Sequence, residues 1–157
     1  MLFSPEMEAL EAQITNNILR ESEGFFDKAG DLAVLRTTVR IACEFFDFLN
    51  RTGGAPTVDD AEYISGTIRS GIDDFYRMEQ WGRILSGLKL TRGFNQNLPR
   101  TLPEMKEAYD TLFRQLTGSA FSIESVGLLL SLVQMMLLFM TAHFQTFLSF
   151  SSSESLS

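Results

Sequence analysis

The chain has 157 residues, with 13 Lys and Arg against 20 Asp and Glu, a formal charge of −7 and 45% hydrophobic residues. That is enough apolar material for one domain with its own core and too much for a disordered chain. The acidic surplus excludes a protein whose task is to neutralise phosphate backbones, so no nucleic-acid partner is expected.

The apolar residues follow helical spacing from the start. Ser4-Pro5-Glu6 reads as a serine cap followed by proline at the first helical position, and Met7, Leu10, Ile14 and Ile18 then line one face. A second helix follows Asp31, with Leu32, Leu35, Val39, Ala42, Phe46 and Leu49 as its stripe and the Gly53-Gly54 turn after it. Thr57 with Asp60 opens a third helix, whose inward residues are Ala61, Ile64, Ile68, Ile72 and Phe75. The chain bends near Glu79-Gln80, and Trp81 to about Leu90 is apolar enough to form a central, well-buried helix. Thr101-Leu102-Pro103-Glu104 resembles a capping box and leads Met105, Tyr109, Leu112 and Leu116 to a stop at Gly118. Strand alternation is absent at any useful length, so the expected class is all-α.

Residues 1–120 read as a helical body and residues 121–157 as an apolar C-terminal segment with a serine-rich end. No Asp, Glu, Lys or Arg occurs from Ser125 to Ser153, and 17 of the 25 residues Val126–Phe150 are Ala, Val, Leu, Met or Phe. An uncharged run of this length is a candidate membrane span over 126–150. Gln134, His143, Gln145 and Thr146 dilute it, and the alternative is a helix buried in the bundle or in a dimer.

Little in the sequence supports covalent chemistry. The single cysteine, Cys43, rules out an intrachain disulfide and a multi-cysteine zinc site, and it lies on or beside an apolar face, as a small hydrophobe would. The single histidine, His143, sits among Met140, Phe144 and Phe147 with no second ligand nearby. The Asp59-Asp60 and Asp73-Asp74 pairs read as acids at helix starts or on helix surfaces. Gly53-Gly54 lacks the lysine of a phosphate loop. No metal, no cofactor and no enzymatic activity is expected.

The most specific words are Trp81-Gly82-Arg83-Ile84, preceded by Phe75-Tyr76-Arg77. They resemble the first homology motif of the Bcl-2 family. The helix that would carry the BH3 pattern lies at a compatible distance, with Leu35 preceding Gln80 by 45 residues. The resemblance spans about Ser4 to Gly118. Gln80 stands where the family has asparagine, Leu35-Arg36-Thr37-Thr38-Val39-Arg40 has no Gly-Asp pair, and Trp81 is the only tryptophan. The compact body with an eroded second motif is similar to viral members of the family.

The resemblance implies a helical bundle in which a central hydrophobic hairpin is wrapped by amphipathic helices. It also implies an inhibitor of apoptosis that sequesters the BH3 helices of pro-apoptotic proteins in a groove, in the cytoplasm of a host cell or at its mitochondrial or other membranes. A helix-in-groove site takes apolar anchors at i, i+3, i+4 and i+7. Phe46, Leu49, Phe75 and Leu85 are its expected walls. Gly82, lacking a side chain, would admit the partner backbone, and Arg83 would pair with the ligand's aspartate. Homodimerisation over the same groove is a further expectation. The competing class is a self-assembling structural or secretion-type helical protein that oligomerises through its apolar C-terminal helix.

Overall fold

The structure, a computed structural model, describes residues 4–27, 29–52, 59, 62, 64, 66, 78–90, 99–119 and 121–156, except for the side chains of 29, 78–80, 141 and 143–156. Among the described residues the fold is all-helical: α1 (Pro5–Glu21), a 3₁₀ turn (Phe25–Asp27), α2 (Ala29–Thr52), α3 (Met78–Gly87), α4 (Leu102–Thr117) and α5 (Ser125–Leu156). Most of the helix expected from Thr57 lies outside the described residues, Phe75 included, as do Gly53-Gly54 and Asp73-Asp74. Its Ile64 is described and is fully buried.

The caps form where the sequence places them. Ser4 Oγ accepts the Met7 amide at 3.2 Å, with Pro5 opening the helix. Thr101 Oγ1 accepts the Glu104 amide at 3.2 Å. The Glu104 carboxylate then reaches back to accept from the Arg100 amide at 2.7 Å, one residue earlier than in a reciprocal box. Ile14 and Ile18 of α1 are fully buried, as are Met105, Tyr109, Leu112 and Leu116 of α4. Between α1 and the 3₁₀ turn the chain reverses through Glu23 and Gly24, with φ of 50° and 80°. Gly24 adopts this left-handed region without steric cost.

Two helices are buried more broadly than their sequences suggest. Beyond the expected stripe, α2 also buries Val34, Ile41, Phe45 and Phe48, because it packs against α1, α3, α4, α5 and the 3₁₀ turn. The first half of α5 buries Val126, Leu129, Leu130, Leu132, Val133, Met136, Leu137 and Met140 against α2 and α4. Residues 126–140 are therefore a packed helix of the bundle, which accounts for their all-round apolar character. Among the described residues, no helix is long and apolar enough to cross a membrane.

The Trp81 helix departs from its expected central position. It ends at Gly87, buries Trp81, Ile84 and Leu85, and leaves Arg83, Ser86 and Gly87 exposed. With an arginine and small polar residues on its outer side, it is a one-sided helix laid on α2. Among the described residues, α2 and α5 take the interior.

Polar contacts tie the helices at their ends. Asn17 Nδ2 and Gln13 Nε2 donate to the last carbonyls of α4, those of Leu116 and Thr117, at 3.0 and 3.3 Å. These acceptors would otherwise lack an intrahelical partner. Arg40 joins α2 to α1 by pairing with Glu11 at 3.0 Å and also bridges Glu44 at 3.3 Å.

Candidate functional site

Three of the sequence-derived site residues, Gly82, Arg83 and Leu85, stand together on α3. The helix is seated by its tryptophan. Trp81 is buried, and its indole Nε1 donates to Thr38 Oγ1 of α2 at 3.0 Å. The Thr38 hydroxyl in turn donates to the Val34 carbonyl at 2.8 Å. A buried indole N–H needs an acceptor, and a threonine on the apolar side of α2 supplies one while spending its own proton inside its helix. This chain of bonds sets the rotation of α3.

That rotation turns Gly82 outward. Among the described residues, a Cβ at Gly82 would meet no atom within 4 Å. Gly87 behaves differently: a Cβ there would come within 2.5 Å of Phe25 Cε2, so the ring of the 3₁₀ turn would have to shift to admit a side chain.

Arg83 follows Gly82 on the exposed side. Its side chain is 60% exposed, and Nη2 donates to Asp31 Oδ1 at 2.8 Å, whereas the Asp31 side chain is only 7% exposed. Asp31 is the third residue of α2, where the helix N-terminus favours a carboxylate. The guanidinium thus has a resident counter-ion supplied by the same chain.

The remaining site residues lie elsewhere. Leu49 is part of the buried core, as is Leu85 of α3. Phe46 is half-buried toward the other end of α2 and stacks on Phe113 of α4, with ring centroids 4.2 Å apart and planes at 8°. The two rings floor an open cleft of about 430 Å³ lined also by Leu10, Asp110, Arg114 and Thr117. None of Gly82, Arg83 and Leu85 lines this cleft. Phe75 lies outside the described residues.

Sequence reasoning missed Asp31 and Thr38 as site residues. Asp31 reads as an acid at a helix start, and nothing in its neighbourhood points to an arginine 52 positions away. Thr38 had a weak signal, a hydroxyl interrupting an apolar face opposite a lone tryptophan.

Two groups that could take part in covalent chemistry are deeply buried. Cys43 is fully buried and its thiol is pushed up by that burial and by Glu11 and Glu44, with Arg40 opposing. The thiolate is the reactive form, so this cysteine is a poor nucleophile. Tyr109 is also fully buried, and burial raises its phenol well above the usual tyrosine value, with nearby Cys43 adding to the effect. Among the described residues its hydroxyl has no hydrogen-bond partner, and no group of His, Cys, Asp and Glu is arranged to hold a metal ion. On α3, the backbone at Gly82, clear of other described atoms, lies beside an exposed guanidinium. No protein-family model, curated protein or solved structure matches the chain.

Proposed function

We propose that this chain is a Bcl-2-like inhibitor of apoptosis, similar to viral members of that family. It would sequester BH3 helices of pro-apoptotic proteins in the host cytoplasm or at mitochondrial or other intracellular membranes. The observation that carries the reading is the conjunction on α3: the Trp81-Gly82-Arg83-Ile84 word, with its tryptophan buried, its glycine open and its arginine exposed. An amphipathic partner helix would lay its backbone against Gly82 and bring an aspartate to Arg83. Phe75 and the apolar residues beneath α3 would receive its anchors. No catalysis and no cofactor enter this function.

Titration of the folded, monomeric protein with fluorescein-labelled BH3 peptides tests it. Saturable binding is expected, and Arg83→Ala should weaken it by up to about tenfold, or roughly 1 kcal/mol. A folded monomer that binds none of the peptides overturns the reading.

One observation favours a second reading, a self-assembling helical protein. Leu138 of α5 is 63% exposed on a helix that is otherwise mostly buried up to Met140. Sedimentation showing concentration-dependent oligomers that Leu138→Glu dissolves, together with no BH3 binding, would replace the first reading with this one.

A further inference from the structure

We propose that Asp31 acts as a built-in competitor for Arg83, so that a partner's carboxylate engages this arginine only by taking it from a carboxylate of the same chain. The inference rests on the helix-binding reading above and assigns a specificity-determining residue to that site.

The geometry supplies the argument. Arg83 Nη2 lies 2.8 Å from Asp31 Oδ1, on a guanidinium that is otherwise largely in water. Asp31 does not depend on Arg83 for its place, because it belongs to the first turn of α2, where the helix dipole favours its charge. A contact of this kind could affect a ligand in two opposite ways. Asp31 could hold the arginine in position and so help the ligand, or it could neutralise the arginine and so oppose it.

The burial of Asp31 decides between them. Its side chain is only 7% exposed, so water screens its charge poorly. A second carboxylate brought to the same guanidinium meets that charge at close range, and like charges so placed repel strongly. Against this, positioning saves only rotamer freedom of one arginine side chain. Competition therefore dominates. It implies that an acidic residue in the partner helix contributes little binding to the wild-type protein, and that apolar anchors carry most of its affinity.

The experiment compares two labelled BH3 peptides, one with its aspartate and one with asparagine there, on wild-type protein and on Asp31→Asn. On the wild type the aspartate should be worth less than about tenfold in affinity. On Asp31→Asn the advantage should widen by on the order of tenfold, a typical coupling between two ligands of one site. Circular dichroism and a cooperative melt establish that the variant is folded, and Asp31→Ser serves if Asp31→Asn is not. The wild-type comparison stands without either variant, because an advantage of 100-fold or more would already contradict competition. An unchanged or reduced advantage in the variant overturns the role of Asp31 and leaves the helix-binding reading intact. Failure of both peptides to bind any folded form overturns both.

Discussion

Replacing Tyr109 with phenylalanine removes one oxygen atom from the centre of the bundle and nothing else. The residue is fully buried on α4, and its ring packs near that of Phe113 with centroids 6.2 Å apart. Its hydroxyl has no hydrogen-bond partner among the described residues. A buried, unsatisfied polar group carries a desolvation penalty of about 1–3 kcal/mol, whereas the void left by one oxygen is far smaller than a methylene cavity. The ring contacts survive intact. Tyr109→Phe should therefore stabilise the protein by about 1 kcal/mol, equivalent to a rise of roughly 2–4 °C in Tm for a domain of this size.

The same hydroxyl sets a pH dependence. Burial raises the folded-state pKa of Tyr109 well above its ordinary value, while in the unfolded chain it ionises near 10. A group whose pKa is raised on folding contributes stability that is fully present below the unfolded value. It is lost as pH climbs from about 10 toward the folded value, because the unfolded state releases its proton first. Cys43 acts in the same direction, from the lower unfolded value of a thiol, near 8.5. Wild type and Tyr109→Phe should thus diverge above about pH 10, the variant losing stability less steeply. Urea denaturation followed by circular dichroism, repeated from pH 7 to 11, measures both effects. A variant destabilised at pH 7, or two curves that run parallel above pH 10, would refute the account of a buried phenol without a partner.

Other substitutions separate folding from binding. Gly82→Ala should stabilise α3 by about 0.5–1 kcal/mol, since alanine is the better helix former and the site is open. It should nevertheless weaken BH3-peptide binding, and a peptide titration that finds unchanged affinity would remove Gly82 from the site. Gly87→Ala should destabilise by about 1 kcal/mol or more, because its Cβ would sit 2.5 Å from Phe25 Cε2 and displace the ring; a thermal melt checks it. Cys43 should resist thiol reagents such as dithionitrobenzoate in the folded protein and react fully in denaturant, its rate following unfolding.

Much of this architecture is legible in the sequence, and the residues show why. A cap is a local event, so Ser4-Pro5 and Thr101-Leu102-Pro103-Glu104 could be read from a few adjacent letters. The stripe of α4 is equally direct, because that helix buries one face and exposes the other. On α2 the stripe misleads: Ile41, Phe45 and Phe48 are buried too, since neighbours cover the helix on several sides. Periodicity records how many faces a helix buries only when one face remains polar. The first half of α5 is the limiting case. Apolar all round, it satisfies a membrane span and an interior helix equally well, and only the partners α2 and α4 distinguish them. The site is legible only along α3 itself. Arg83 stands out beside Trp81 and Gly82, but its pairing with Asp31 joins residues 52 apart and leaves no local trace.

The two glycines of α3 show where folding requirements stop and another constraint begins. They are five residues apart on one helix, and each weakens that helix relative to alanine. At Gly87 the loss has a structural cause, since Phe25 occupies the space of a side chain. At Gly82 no such cause exists among the described residues: a methyl group would touch none of them, and the helix would be more stable for having it. Its neighbour Arg83 is the sixth of the ten residues of α3, beyond the first turn where the dipole acts, and its bond to Asp31 leaves most of its side chain in water. Helix stability alone does not select Gly82. Local costs that the fold does not require are expected at functional sites. The proposed partner site rests on a glycine of this kind beside an exposed arginine, and a partner that covered Gly82 would offset its cost.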